Sequence, residues 1–101
     1  MKIELFYFKG CPTYNETAAN LRRALDELDI KDNFKMIEVV DLQDAVTKKF
    51  LGSPTIRING TDLEGKEGDY IFGCRIYAID GKITGTPTKN HILSKIKSLI
   101  K

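Results

Sequence analysis

The amino-acid sequence predicts a single α/β domain, and three observations support this prediction. A length of 101 residues is typical of one domain with one hydrophobic core. The first strand-like segment is a nearly continuous apolar run, which is typical of strands buried on both faces of an α/β sheet. The segments that follow alternate between helical and strand-like apolar spacing. We therefore expect a sheet that is covered by helices.

The N-terminal third predicts a strand, a turn and a helix. Residues 2–8 form the apolar and aromatic run that we assign to the first strand. Gly10 interrupts this run, and Pro12 fits the first position of a helix because its missing N–H needs no partner there. The helix has one apolar stripe, which consists of Ala18, Leu21, Leu25 and Leu28.

The middle third predicts a second strand, a short helix and a hairpin. Residues 34–40 supply apolar and β-branched side chains for the strand. Asp41 is the expected N-cap of the short helix, and Gly52 is its expected end. Residues 55–64 then predict two short strands, joined by an Asn-Gly turn at residues 59–60.

The C-terminal third predicts a loop, a strand with a second hairpin, and a final helix. Residues 65–72 are rich in glycine and charge, and they are expected to form a loop. Residues 74–79 are strand-like, and an Asp-Gly dipeptide at residues 80–81 predicts a second hairpin. Thr88 is the expected N-cap of the last helix, whose apolar stripe consists of Ile92, Leu93, Ile96, Leu99 and Ile100.

Charge and composition exclude several classes of function. The net charge is only +2 and the lysines do not cluster, so no nucleic acid partner is expected. No apolar run approaches the ~18 residues that span a membrane, and we expect neither a membrane partner nor a signal peptide. Two cysteines in such a chain favour a reducing, cytoplasmic setting, where a cysteine pair is more often catalytic or redox-active than structural.

Cys11 is the strongest candidate for a functional side chain. Its predicted position is the N-terminus of a helix, where free N–H groups and the helix dipole favour negative charge. Cysteines in such positions have a lowered pKa and react as thiolates. The hypothesis is that Cys11 is a nucleophilic or redox-active thiolate, and the alternative is a small buried apolar side chain.

The order of elements and two short motifs together resemble the thioredoxin fold. Residues 6–12, Phe-Tyr-Phe-Lys-Gly-Cys-Pro, are similar to the active-site entry of thioredoxins and glutaredoxins. Residues 51–60, Leu-Gly-Ser-Pro-Thr-Ile-Arg-Ile-Asn-Gly, are similar to their proline-containing segment and the hairpin that follows. The resemblance covers residues 1–64 and the final helix. It implies one thioredoxin-like domain over residues 1–101, in the order β-α-β-α-β-β-α, with an inserted strand or hairpin segment before the last helix.

The resemblance also implies a substrate-binding segment. In that family the proline is cis and faces the active-site cysteine, which implies a cis bond between Ser53 and Pro54. The alternative is an ordinary trans proline at the start of a strand. With a cis bond, Ser53, Pro54 and Thr55 present backbone groups to an extended substrate such as a peptide or glutathione. Thr13 offers a hydroxyl and a backbone N–H near the sulfur.

The sequence departs from the family's Cys-x-x-Cys motif, because Tyr14 takes the place of the second cysteine. Tyr14 either holds a hydrogen bond near the thiolate, as a catalytic residue, or packs against its neighbours. Cys74, in the inserted segment, either pairs with Cys11 across the site or is a buried strand residue. Arg75 either holds a substrate anion beside the site or lies on the surface of an edge strand.

Three functions are compatible with the sequence. The leading one is a thiol–disulfide oxidoreductase in which Cys11 attacks and Cys74 or an external thiol resolves. Its expected partner is a disulfide-containing protein, a peptide or a low-molecular-weight thiol. The second is a binding module that has lost catalysis, and the third is a soft-metal or metalloid-binding protein that uses both thiols. His91 is expected to be exposed or packed, and neither a cofactor nor a structural metal is expected.

Overall fold

The computed structural model describes residues 1–68 and 70–100. Within these residues the chain forms, in order, β1 (Ile3–Tyr7), α1 (Tyr14–Glu27), β2 (Lys35–Glu38), α2 (Leu42–Thr47), β3 (Leu51–Ser53), β4 (Thr55–Ile58), β5 (Thr61–Asp62), β6 (Ile71–Cys74), β7 (Tyr77–Ile79), β8 (Lys82–Thr84) and α3 (Lys89–Leu99).

The central sheet has four strands in the order β2-β1-β4-β5. β1 runs parallel to β2 and antiparallel to β4, and β5 is antiparallel to β4. Leu5 lies at the centre of the sheet, where it pairs with Met36 of β2 and Ile56 of β4. Because β1 has a strand on each side and is covered on both faces, its sequence is apolar over nearly its whole length.

Helices cover both faces of this sheet. Leu5 and Ile56 pack with side chains of α1 and α3 in one core cluster. Phe6 points to the opposite face, as the two-residue period of a strand requires, and packs with Ala45 and Phe50 in a second cluster. Each fully buried leucine or isoleucine in these clusters contributes about 1.5–3 kcal/mol. The result is a mixed α/β single domain, and the predicted α/β class is confirmed.

Local signals identified the turns and caps correctly. Asn59 has a φ of 52° and Gly60 a φ of 83°, so both central residues of the first hairpin have the left-handed backbone that an Asn-Gly turn favours. The Asp41 side chain caps α2 by accepting from the Asp44 N–H, and the Thr88 hydroxyl caps α3 in the same way. None of the helices in the described residues is long and apolar enough to cross a bilayer.

The predicted bounds of two helices are wrong. α1 begins at Tyr14 rather than at Pro12, because the Cys11 N–H closes a turn onto the Phe8 carbonyl and delays the first helical bond. α2 ends at Thr47 rather than at Gly52, since the backbone turns left-handed at position 49. Gly52 lies instead in β3.

Residues 71–84, which belong to the segment that the resemblance treats as an insertion, form β6 and the β7–β8 hairpin. β6 runs parallel to β3, held by the bonds from Ile71 N–H to the Phe50 carbonyl and from Arg75 N–H to the Ser53 carbonyl. The predicted loop over residues 65–72 therefore ends too late, and the predicted strand over residues 74–79 is two strands. The cause is pairing with β3, which is distant in sequence and leaves no local signal.

Candidate functional site

Cys11 lies in the turn between β1 and α1, and its side chain is 1% exposed. Its backbone N–H donates to the Phe8 carbonyl at 3.1 Å. Because Thr13 is the N-cap of α1, Cys11 stands just before the helix rather than inside its first turn. The backbone N–H of Thr13 nevertheless bonds to the sulfur.

Hydrogen bonds around the sulfur favour its ionised form. Burial alone raises the pKa of the Cys11 thiol, but hydrogen bonds from Ser53, from the Thr13 hydroxyl and N–H, and from Cys74 outweigh it, so the pKa lies below its ordinary value. The Thr13 Oγ1 is 3.2 Å from the Cys11 Sγ. The Ser53 Oγ accepts a hydrogen bond from the Phe8 N–H at 3.3 Å. The hydroxyl proton of Ser53 is therefore free to be donated to the Cys11 sulfur.

The Thr13 hydroxyl has a second partner. Its oxygen is 3.0 Å from the Gly85 carbonyl, to which it donates in the thiol state of Cys11. A hydroxyl has one proton, so it serves either this carbonyl or a thiolate at position 11, but not both. Thr13 therefore links the sulfur to the segment between β8 and α3.

The segment around the cis peptide bond lines the other side of Cys11. The bond between Ser53 and Pro54 is cis, as the resemblance implies. Ser53 and Thr55 are fully buried, and the Thr55 hydroxyl donates to the Gly52 carbonyl at 2.5 Å. The Ser53 carbonyl accepts both the Arg75 N–H at 2.9 Å and the Cys11 thiol at 3.5 Å. β6 therefore pairs with the edge at which the resemblance implies an extended substrate.

Cys74 is the last residue of β6 and stands opposite Ser53 in the pairing with β3. Both cysteines are free, Cys74 is exposed, and the two lie about 4.1 Å apart. Partial burial raises the pKa of the Cys74 thiol, and the negative charge of Cys11 and the hydrogen bond that Cys74 donates to it raise it further. The pKa of the Cys11 thiol is thus below that of an ordinary cysteine, and the pKa of the Cys74 thiol is above it.

Arg75 is buried and is not on the surface of an edge strand, contrary to one of the sequence-based alternatives. Its guanidinium forms a bidentate pair with Asp62 at 2.7 and 2.9 Å, and the two side chains are 3% and 4% exposed. It also lies 4.8 Å from the centre of the Tyr77 ring. Because two nitrogens of this guanidinium bond to Asp62, Arg75 anchors the chain next to Cys74.

Asp62 and Tyr77 complete this buried polar cluster, and sequence reasoning missed both. Burial raises the pKa of the Asp62 carboxyl, but the hydrogen bond and charge of Arg75 and two backbone N–H donors outweigh it, so the pKa is lowered. The Tyr77 hydroxyl donates to the Pro54 carbonyl at 2.5 Å, and burial raises its pKa. Neither side chain carries a local signal, because each partner lies far along the chain.

Tyr14 and His91 have packing contacts. The Tyr14 ring stacks on Tyr7, with centroids 4.4 Å apart. His91 is partly buried, contacts the Glu64 carboxylate and meets the Tyr77 ring edge-on. These contacts agree with the packed alternative for each of the two residues.

Comparison of the chain with protein-family models, with curated proteins and with solved structures finds no match. The chemistry of the site therefore has to be argued from its own geometry. That geometry is a sulfur whose thiolate is stabilised by hydrogen bonds, beside a second, exposed sulfur that the β3–β6 pairing places next to it. Two such thiols can form a disulfide or share a soft metal ion.

Proposed function

We propose that this protein is a thiol–disulfide oxidoreductase whose redox couple consists of Cys11 and Cys74. The observation that supports it most directly is the approach of the two free cysteines to about 4.1 Å. In a reducing compartment such as the cytoplasm, a cysteine pair of this kind is more often redox-active than structural. In the net reaction, two protein thiols become one disulfide, and an external disulfide takes up two electrons and two protons to become two thiols.

Cys11 is the nucleophile of the pair. The hydrogen bonds from Ser53 and Thr13 outweigh burial and lower the pKa of its thiol, so more of it is thiolate at neutral pH than of an ordinary cysteine. When the Cys11 thiolate attacks the Cys74 sulfur of a mixed disulfide, the internal S–S bond forms, the bond to the external sulfur breaks, and its electron pair leaves on that external sulfur. Cys74 is the second sulfur of the protein disulfide.

The fold that we propose for this reaction is thioredoxin-like. The sheet order β2-β1-β4-β5, with β4 antiparallel to β1, supports it. The cis bond between Ser53 and Pro54, next to Cys11, supports it as well. In this proposal the inserted segment supplies, through Cys74, the second thiol that Tyr14 does not.

Equilibration in glutathione redox buffers tests the function. Samples are quenched with acid, alkylated and weighed as intact protein. With increasing oxidising strength, we expect a transition from a species with two alkylated cysteines to one that has lost two hydrogens and takes up no alkylating agent. Cys11→Ser and Cys74→Ser are the matched controls, because each keeps one thiol and forms at most a glutathione adduct. The proposal is wrong if the wild-type protein keeps two alkylatable thiols in strongly oxidising buffer.

A second candidate function is the binding of one soft metal ion between the same two sulfurs. Facing thiols are the donors that ions such as Cu(I) prefer. In residues 1–68 and 70–100, no three His, Cys, Asp or Glu side chains are grouped to hold a metal, so the site suits a two-coordinate ion. Anaerobic titration with Cu(I) should give one equivalent that requires both Cys11 and Cys74. Equal binding by Cys74→Ser, or no binding, would remove this candidate.

A further inference from the structure

The cysteine that is exposed to solvent and the cysteine whose thiolate is stabilised are different residues. Cys11, whose sulfur receives the hydrogen bonds from Ser53 and Thr13, is 1% exposed. Cys74 is exposed and lies about 4.1 Å away. A molecule that approaches from solvent therefore meets the Cys74 sulfur before it can reach Cys11.

The backbone beside Cys11 is already paired. The Ser53 carbonyl accepts the Arg75 N–H, and β6 lies along β3. An extended substrate cannot pair with β3 on this edge while β6 is in place. Two apolar residues close to Cys74 in the chain are exposed, Ile76 by 69% and Phe72 by 40%.

We propose that external low-molecular-weight thiols and disulfides exchange with the sulfur of Cys74, and that Cys11 makes and breaks only the internal disulfide. This inference rests on the proposed function. It reverses the order that the sequence favours, in which Cys11 meets the substrate and Cys74 resolves.

The reduction proceeds in two balanced steps. An external thiolate attacks the Cys74 sulfur, an S–S bond forms between them, and the Cys11–Cys74 bond breaks with its electron pair left on Cys11. A second external thiolate then attacks the external sulfur of this mixed disulfide. The external disulfide is released, and Cys74 leaves as a thiolate that takes a proton from water. Two external thiols are thereby oxidised and one protein disulfide is reduced.

The leaving group explains the direction of attack. A sulfur leaves faster when its thiolate is more stable, and the hydrogen bonds of Ser53 and Thr13 stabilise the thiolate of Cys11. Attack on Cys74 expels this stabilised thiolate. Attack on Cys11 would require access to a buried sulfur and would expel Cys74, whose thiolate lacks the hydrogen bonds of Ser53 and Thr13 and is disfavoured by partial burial.

The first test locates the mixed disulfide. The wild-type protein, oxidised to its internal disulfide, is mixed with reduced glutathione, quenched with acid at increasing times and digested for peptide mapping. We expect glutathione on the Cys74 peptide. Glutathione on the Cys11 peptide instead would overturn the inference while leaving the proposed function intact.

The second test does not depend on trapping the intermediate. Thr13→Val removes a hydroxyl that stabilises the Cys11 thiolate, so reduction of the internal disulfide by glutathione should slow about threefold. Thr13→Ser keeps a hydroxyl and should restore the rate. Thr47→Val is the matched control, because Thr47 is in α2 and, within residues 1–68 and 70–100, its hydroxyl bonds only to the Gln43 carbonyl.

The outcomes of the two tests separate the inference from the proposed function. Adducts on Cys74 together with slower reduction of Thr13→Val support the inference. An unchanged rate in Thr13→Val would show that Cys11 is not the leaving group and would overturn it. If the oxidised protein never forms an internal disulfide, the proposed function itself fails, and this result is seen in intact mass before glutathione is added.

Discussion

The buried pair of Asp62 and Arg75 permits a quantitative prediction. Asp62→Asn keeps the shape of the side chain and an oxygen for the N–H groups of Glu64 and Lys66, which Asp62 accepts at 3.0 Å. It removes the charge and leaves the Arg75 guanidinium buried without a counter-ion. Breaking a pair of this kind costs about 3–5 kcal/mol. Domains are stable by only about 5–15 kcal/mol, so the variant should lose a large part of its stability.

The exposure of the two side chains decides which magnitude applies. At 3% and 4% exposure, with two N–O contacts of 2.7 and 2.9 Å, water does not screen the pair. An exposed ion pair would contribute only about 0–1 kcal/mol. The assay is urea unfolding of the reduced protein. A loss below about 1 kcal/mol for Asp62→Asn would refute the argument, because it would mean that the pair is solvated.

A double-mutant cycle and a pH series complete this test. Arg75→Met alone leaves Asp62 charged and buried, so Asp62→Asn in the Arg75→Met background should cost much less than it does in the wild type. The folded-state pKa of Asp62 is lowered, because the bond and charge of Arg75 outweigh burial. Its stabilisation is therefore complete above the unfolded pKa of about 3.9 and is lost as the pH falls through the lowered folded value. Asp62→Asn should lack this acid dependence.

Three further predictions concern the same region. Gly52→Ala should destabilise the protein by about 1–3 kcal/mol more than Gly60→Ala in urea unfolding. Both glycines have positive φ, but only at Gly52 would a Cβ meet the Arg75 Cβ, at 2.8 Å, so equal losses would contradict the close approach. Thr13→Val should lower the midpoint reduction potential of the Cys11–Cys74 couple by about 30 mV, because a loss of about 1.4 kcal/mol of thiolate stabilisation disfavours the reduced form. Thr13→Ser keeps the hydroxyl and should leave this potential unchanged. In Cys74→Ser, alkylation of Cys11 should reach half its maximal rate at a lower pH than alkylation of an ordinary thiol, because hydrogen bonds to the sulfur outweigh burial. A midpoint at the pH of an ordinary thiol would contradict the lowered pKa.

Local sequence signals predicted the elements well where the cause is local. The Asn-Gly and Asp-Gly turns and the caps at Asp41 and Thr88 each depend on residues within four positions. Gly52 was misassigned as a helix end, because a glycine signals a left-handed backbone without identifying its cause. Here the glycine also leaves room for Arg75, which is distant in sequence.

The sequence predicts only part of the candidate site, because some of its residues are positioned by contacts that are distant in sequence. Cys11 stands out because a glycine and a proline flank it between a strand and a helix. The position of Cys74 depends on the parallel pairing of β6 with β3, and the sequence therefore left its pairing with Cys11 open. The burial of Arg75 depends on Asp62, which looks like an ordinary hairpin residue in the sequence.

The wide separation of the two cysteines along the chain couples chemistry to folding. A bond between Cys11 and Cys74 would close a loop of roughly 60 residues, and in the chain-entropy model such a loop stabilises the folded state by about 4 kcal/mol. Thermodynamic linkage requires folding to favour the closed bond by the same amount. Oxidation would then stabilise the whole domain against unfolding. The resistance of this protein to denaturant would depend on the thiol–disulfide balance of its surroundings.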